Sequence, residues 1–346
     1  MRISIALCTY NGEIFLSEQL ASYLNQSRLP DELVICDDRS SDKTVEILQD
    51  FAKTAPFEVK LFVNEQNLGV TKNFEKAISL CTGEIIFLSD QDDVWMPEKL
   101  QIIENEFEKS PEISLIFTDA ELVDEKLQPL GHNLWEFALW EYSFSQSNAK
   151  QEFNPNVGFE TLIFGRTVAG CNMAFRAKIV KVLIPFPQMK DFLIHDGWIL
   201  LASSLFFKIK PFNQALVKYR QHANQQIGVP IEKPSSNYES RKKAFEIYIK
   251  DCQAALNRIE LLKEICKTIV KKHPNSIAPN INPMEILDAS YNKFNDAITH
   301  YSMRGDLPKN HLKRISRILP ELFKGNYHRY SNGLRSVLKD FIEVIR

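Results

Sequence analysis

Glu84-Ile85-Ile86-Phe87-Leu88-Ser89-Asp90-Gln91-Asp92-Asp93-Val94-Trp95 runs from a short apolar segment directly into three carboxylates within four residues. A β-branched and aromatic run with Gly83 before it and acids after it reads as a buried strand whose carboxyl end opens into a polar loop. In open α/β sheets ligands bind outside the carboxyl ends of the strands, so these acids stand where a site is expected. Carboxylates at i and i+2 on a turn can converge on one hard cation, and all-oxygen ligation suits Mg²⁺ or Mn²⁺. The same residues also fit a solvated acidic turn capping the next helix, with Pro97 as its first helical residue. The turn alone leaves both readings open.

Upstream and downstream of it the chain alternates. Ile3 to Cys8, Leu33 to Cys36, Lys60 to Val63, Ile85 to Leu88 and Ser114 to Phe117 are five short runs of buried-strand type. Between them lie segments of helical period: Glu13 to Gln26, Lys43 to Lys53, a third carrying Phe74, Ala77, Ile78 and Cys81, and a fourth carrying Leu100, Ile103 and Phe107. Strands and helices alternating at this length predict βαβ units, an α/β fold and a mostly parallel sheet covered on both faces. Right-handed crossovers then bring the strands' carboxyl ends to one edge. The loops expected there are Thr9-Tyr10-Asn11-Gly12, Asp37-Asp38-Arg39-Ser40-Ser41-Asp42, Asn64 to Gly69, the acid turn, and Thr118-Asp119. They collect acids, amides and hydroxyls, with Tyr10 and Trp95 as flat apolar surfaces, the mixture a nucleotide needs. Neither GxGxxG nor GxxxxGK[ST] occurs, which argues against a dinucleotide-binding dehydrogenase and a P-loop enzyme. Phosphate charge must be met otherwise, and a metal on Asp90 and Asp92 would meet it.

After Asp119 the pattern is less regular. The aromatic stretch from Leu134 to Phe164 reads equally as a lid or as a packed surface excursion. Val168 to Arg176 reads as a strand approached closely at Gly170, and Asp196 opens an apolar helix, where capping is the ordinary role. Leu216 to Arg220 is a last strand, and His222 follows in a polar loop as ligand, phosphate contact or plain surface. Pro230, Pro234 and Ser235-Ser236 mark a linker, which divides the chain into residues 1–230 and a helical region at 231–346.

The chain of 346 residues, 44% hydrophobic, is long enough for a sizeable core. Its net charge of −2 conceals an asymmetry: Arg304 to Arg346 holds ten Lys and Arg against four Asp and Glu, a net of +6, so residues 1–303 carry −8. Within that tail Leu312, Ile315, Leu319, Leu322 and Phe323 share one helical face and Lys313, Arg314, Arg317 and Lys324 the other. Such a helix either docks on the domain or lies on an anionic bilayer surface. It lacks the aromatic platforms of single-strand nucleic-acid binders. Six scattered cysteines without CxxC spacing are expected to be reduced core residues. The opening strand is too short for a signal peptide, and no apolar run approaches a membrane span. A cytoplasmic protein is expected, with peripheral contact at the inner face of the plasma membrane as an option.

These residues together resemble bacterial glycosyltransferase family 2, of the GT-A fold. The likeness rests on Thr9-Tyr10-Asn11-Gly12, on Val34 to Thr44 with its Asp37-Asp38-Arg39-Ser40-Ser41-Asp42 core, on Asn67-Leu68-Gly69, on Ser89 to Trp95 as the DxD region, and on His195-Asp196. It covers roughly the first 230 residues in order. The wording Asp-Gln-Asp-Asp-Val-Trp, followed later by Tyr219-Arg220-Gln221-His222, is most similar to rhamnosyltransferase-like members. The resemblance implies that Thr9, Tyr10 and Asp37 or Asp38 hold the nucleobase, with Asn11, Asn67 and Gly69 in the same donor site. It further implies Asp90 on the ribose, Asp92 on a Mg²⁺ or Mn²⁺ bridging the diphosphate, His222 as an additional ligand, and Asp196 as the catalytic base. The family often carries Glu where this chain has His195.

The implied function is metal-dependent, inverting transfer of a hexose or deoxyhexose such as rhamnose. The donor would be a dTDP- or UDP-sugar, and the acceptor an oligosaccharide or lipid-linked intermediate of bacterial surface polysaccharide, such as O-antigen or capsule. A sugar nucleotidyltransferase shares the sheet type but needs a basic Gly-rich loop after its first strand, and Thr9 to Glu13 offers one Gly and no Lys or Arg. A non-catalytic nucleotide-sugar-binding or scaffold subunit is the alternative outside enzymes. Asp93 is expected to tolerate change better than Asp92.

Overall fold

The computed structural model describes residues 1–136, 155–164, 168–187, 194–223, 225 and 241–342. The expected linker at 230–236 and most of the aromatic stretch read as a lid or excursion lie outside them. Two compact units result, Met1–Ile231 with Lys272–Ile281, and Glu232–Lys271 with Asn282–Arg346.

The first unit is built on a nine-stranded mixed sheet. Its strands are β1 (Ile3–Thr9), β2 (Glu32–Asp37), β3 (Glu58–Val63), β4 (Ile85–Ser89), β5 (Val94–Trp95), β6 (Ile113–Val123), β7 (Pro129–Asn133), β8 (Met173–Arg176) and β9 (Lys208–Arg220). The order is β3-β2-β1-β4-β8-β6-β9-β5, with β7 pairing β6. β1 to β4 are mutually parallel, β8 runs antiparallel between β4 and β6, and β9 is parallel to β6. The carboxyl ends of β1, β2, β3, β4 and β9 therefore meet the start of β8 at one edge.

Burial explains the apolar runs: every residue of β1, β2 and β4 is buried. β3 departs from expectation, because as the edge strand it pairs on one side only and its side chains are half-exposed or exposed. The strand expected to end at Thr118-Asp119 runs on to Val123. Asp119 is buried inside it and accepts the Trp135 N–H at 3.0 Å, the Ala120 N–H at 2.8 Å and the Asn133 amide at 3.0 Å. It ties down the turn after β7 and is no part of the loop edge.

Helices α1 (Leu16–Leu24), α2 (Thr44–Thr54) and α4 (Lys99–Lys109) share one core with Ile3, Ile5 and Leu7 of β1. Side chains alternate along a strand, so Ala6 and Cys8 face the other side. Helix α3 (Val70–Leu80) packs on β1 and β2 and touches the apolar helix α7 (His195–Phe206). Two shorter helices, α5 (Pro155–Leu162) and α6 (Val180–Leu183), complete this unit.

The second unit is helical: α8 (Arg241–Lys272, of which the last residue falls in the first unit), α9 (Pro283–Gly305), α10 (His311–Phe323), α11 (Asn326–Tyr330) and α12 (Leu334–Ile342). α9 starts as its sequence dictates, with Pro283 at its first position and the Asn282 side chain accepting the Met284 and Glu285 N–H groups. In α8 Phe245, Cys252, Ala255, Ile259, Leu262 and Cys266 are buried, while Ile247 and Tyr248 are exposed. All six cysteines are free thiols, five of them buried. Among the described residues no helix is long and apolar enough to cross a membrane.

Candidate active site

The loops after β1 and β2 are stitched into one surface. Asn11 takes a left-handed conformation (φ 48°), its N–H donates to the Ser40 hydroxyl at 2.9 Å, and its side-chain oxygen accepts the Ser41 N–H at 2.8 Å. Gly12 N–H donates to the Thr44 hydroxyl, and Glu13 N–H to Asp42. Asp37 is buried and accepts from the Thr9 hydroxyl at 2.8 Å and from both the N–H and hydroxyl of Ser40. Asp38 accepts from the Asn64 amide at 2.8 Å, Leu68 N–H at 2.7 Å and Gly69 N–H at 2.8 Å, and its carbonyl holds the Asn67 amide. Gly69 has φ 78°, which L side chains rarely adopt, and opens α3. Of this group Tyr10 alone presents a broad face to solvent, at 51% exposure.

The acid turn is bound to the first loop by a residue the sequence did not single out. Gln91 accepts the Tyr10 N–H at 2.8 Å and donates to the Tyr10 carbonyl at 3.1 Å, a two-point clamp. A Cβ on Gly12 would stand 2.3 Å from the Gln91 amide oxygen, so a larger residue there would push the Gln91 side chain out of its clamp. Trp95 is not a wall of the site. It is 2% exposed, packs between Tyr23 and Phe87, and carries the Lys99 ammonium 3.8 Å above its ring.

The three acids of the turn have different surroundings. Asp92 is partly exposed, and its Oδ2 lies 2.9 Å from Nε2 of His222. The His222 side chain is only 8% exposed and rests on the Phe15 ring, so the plain-surface option is overturned. Asp93 is neither exposed nor a helix cap: α4 begins at Lys99, two residues beyond Pro97. The Asp93 Oδ1 accepts the Arg220 N–H at 3.1 Å, and the neighbouring Cys171 thiol also favours its charged form. Burial, then the Asp92 charge, push its carboxyl up to about 7. Asp90 does not group with Asp92 and His222; ligand atoms of Asp90, Asp93 and Cys171 lie within 4.8 Å of one another. Burial, followed by repulsion from Asp93, Asp92 and Asp196, raises the Asp90 carboxyl well above its ordinary value. The buried Lys99 nearby is pushed down to about 7 by desolvation.

Arg220, whose sequence position carried no assigned role, is a second clamp. Its guanidinium donates from Nε to the Asp92 carbonyl at 2.7 Å, pairs with Glu18, and stacks over Phe15. Nothing in a lone Arg at a strand end signals this, because the partners are distant in sequence.

Asp196 enters from α7. The helix's N-terminal cap is Ile194, so Asp196 is inside the first turn and is not the cap. Gly170 is where the backbone lets it in: a Cβ there would stand 3.1 Å from His195 Nε2 and 3.5 Å from the Asp196 Cβ. Desolvation lifts the Asp196 carboxyl to about 6, against backbone N–H groups of Gly197 and Gly170 that hold it down. His195 stacks on Phe74 with centroids 3.8 Å apart, both ring nitrogens lack partners, and burial lowers it to about 3. The residue beside the candidate base is thus a neutral ring. Asn172, buried close by in the turn after Gly170, also has an unpartnered amide.

A mixed sheet whose carboxyl edge joins a DxD turn to a lone buried carboxylate defines a GT-A domain. Consistent with that fold, Staphylococcus aureus TarS 1–349, solved with UDP-GlcNAc, aligns at TM-score 0.51 and 17% identity over 99% of this chain and 91% of that one. Residues 4–181 match the family model for glycosyl transferase family 2, and the chain belongs to that family. An uncharacterized glycosyltransferase of Nostoc sp. is 26% identical over 64% of this chain and 65% of its own length, so the chain spans just under two thirds of that relative. The dTDP-rhamnosyl transferase RfbG of Shigella flexneri is 26% identical over 65% of this chain and 74% of its own length.

Proposed function

We propose that this protein is an inverting glycosyltransferase that moves a sugar, a deoxyhexose such as rhamnose, from a nucleoside-diphosphate donor to a glycan or lipid-linked acceptor. The pathway is assembly of a bacterial surface polysaccharide at the inner face of the plasma membrane. The observation that carries the reading is Asp196: a buried carboxylate raised to about 6, close enough to Asp90 to repel it, and saturated by no side chain. A general base is most effective with a proton affinity near the working pH.

Each residue has a part. The exposed Tyr10 ring is the wall for the nucleobase, and Asp38 is the better of the two loop acids to meet it. Each accepts three hydrogen bonds and both are buried, but Asp38 keeps 3% exposure where Asp37 has none. Asn11, Asn67 and Gly69 hold that wall in shape, and Asp90 faces the ribose. For the cation, Asp92 and its hydrogen-bond partner His222, 2.9 Å away, would supply the ligands: the carboxylate suits Mg²⁺ or Mn²⁺, and the imidazole favours Mn²⁺ over the strictly oxygen-preferring Mg²⁺. When bound, the ion neutralises the departing diphosphate as a Lewis acid. Asp196 takes the proton of the acceptor hydroxyl as its oxygen bonds to the anomeric carbon. The bond from that carbon to the diphosphate oxygen breaks on the opposite face, and the configuration inverts.

The support for rhamnose is the likeness to the Shigella enzyme, and a donor screen tests it. Thermal shift with dTDP-rhamnose, dTDP-glucose, UDP-GlcNAc and UDP-glucose, each with and without Mn²⁺, should single out one donor whose stabilisation needs the metal. Nucleoside diphosphate release on adding acceptor completes the test. Binding with no release on any acceptor would establish the scaffold reading instead.

A further inference from the structure

Two helices of the C-terminal unit have their polarity reversed. In α10 the buried residues are Arg314, Ile318 and Glu321; in α12 they are Ser336, Val337 and Asp340. Around a small apolar core of Ile318, Tyr327 and Val337 the interior is a charged network. Arg304 donates to both oxygens of Asp340, at 2.7 and 3.2 Å, and the Tyr327 hydroxyl donates to Asp340 at 2.8 Å. Arg314 reaches the carbonyls of Pro308, Asp340 and Phe341, and His300 contacts Glu321.

The large apolar side chains are on the outside. Leu312, Leu319 and Phe323 recur at i, i+7 and i+11 along α10, the first and last 78% and 84% exposed. Leu334, Leu338 and Ile342 recur at i, i+4 and i+8 along α12, Ile342 at 67%. Exposed apolar residues in such stripes mark an interaction surface. The acids of both helices, Glu321 and Asp340, are turned inward, so every exposed charged side chain on them is a cation: Lys313, Arg317, Arg335 and Lys339.

We propose that the outer faces of α10 and α12 form a docking surface for an anionic phospholipid bilayer. An apolar stripe with a uniformly basic flank is the chemistry that inserts side chains at the acyl boundary while cations meet lipid phosphates. The charge rules against a second copy of this chain as occupant, since a two-fold contact would set basic flank against basic flank. At 13 and 9 residues both helices are too short to span and must lie in the interface plane. The proposal is independent of the donor and the reaction.

Flotation of the full chain with vesicles tests it, using phosphatidylcholine alone and phosphatidylcholine with about a quarter phosphatidylglycerol. The protein should float with the anionic vesicles only, and high salt should release it. Leu319→Glu with Phe323→Glu should weaken binding by at least about tenfold, as should Arg335→Glu with Lys339→Glu, which changes charge while sparing the apolar stripes. Unfolding temperature and thermal response to the donor should be unchanged in both variants. Absence of flotation, equal flotation with neutral vesicles, or a wild-type dimer that Leu319→Glu with Phe323→Glu dissociates would each overturn the proposal.

Discussion

The two ends of the same sheet treat buried carboxylates in opposite ways. At the amino end Glu32 is fully buried, yet it receives the Lys60 ammonium at 2.7 Å, the Ser4 hydroxyl, and the N–H and hydroxyl of Thr82. Burial alone would raise its carboxyl; Lys60, Ser4 and Thr82 outweigh that and hold it at about 2. At the carboxyl end Asp93 and Asp196 are also buried and Asp90 is half-buried, but none is hydrogen-bonded to an ammonium as Glu32 is, and desolvation pushes all three up. A carboxylate that serves the fold is saturated by the fold. One left undersaturated at a cost in stability is kept for something that arrives, whether a proton or a cation.

Asp196→Asn should separate the two classes most sharply. Removing a general base is expected to lower transfer by about 10²–10⁴-fold. Because the folded Asp196 holds its proton up to about 6, ionising it costs stability as pH rises from the unfolded value through that point. At neutral pH the Asn variant escapes that cost and should be more stable, on the order of 2 kcal/mol, by chemical unfolding. Wild-type turnover should climb as pH rises through about 6 as the base deprotonates. A destabilised Asn variant would move Asp196 into the class of Glu32.

How much of this was legible in the sequence follows from how far each residue's partners lie along the chain. The sheet was legible because apolar runs and helical periods are local, and the edge loops followed from strand direction. Trp95 misled because an aromatic beside an acid turn reads alike whether it faces ligand or core. Asp119 misled because a strand's end is set by its partner, here β7. Gln91 and Arg220 were illegible for the same reason: their clamps join residues 81 and 128 positions apart. The inward turn of Glu321 and Asp340 was equally invisible, since the helical period identifies an apolar stripe but not which side of the helix is packed.

Within the carboxyl edge, Asp92 and Asp93 refine the contrast. Asp92→Ala removes the partner of His222 and should abolish the Mn²⁺-dependent part of donor stabilisation, with donor affinity falling about 10–100-fold. Asp93→Asn keeps an oxygen for the Arg220 N–H and removes a carboxyl held further above its ordinary value than that of Asp196, so at neutral pH it should stabilise the fold at least as much as Asp196→Asn. Its metal response decides where the cation sits. Retention supports Asp92 with His222; loss as complete as in Asp92→Ala shifts the ion to Asp90, Asp93 and Cys171.

The smallest effect on turnover is expected at the other end of the sheet. Glu32→Gln removes a charge that Lys60 and four further donors meet, and leaves Lys60 with Glu58 at 3.5 Å. Glu32 has its folded value near 2 against an ordinary 4.5, so its contribution is present above 4.5 and lost as pH falls toward 2. The variant should therefore be less stable at neutral pH, on the order of 2 kcal/mol, and show a flatter loss of stability in acid than the wild type. Turnover and donor affinity should be unchanged, because the amino and carboxyl ends of β1 are separated by its seven residues. Opposite signs for Glu32→Gln and Asp196→Asn, measured in one unfolding series, would establish that burial is common to both sites and that the supply of donors distinguishes them. A Glu32→Gln protein as stable as the wild type would dissolve the contrast.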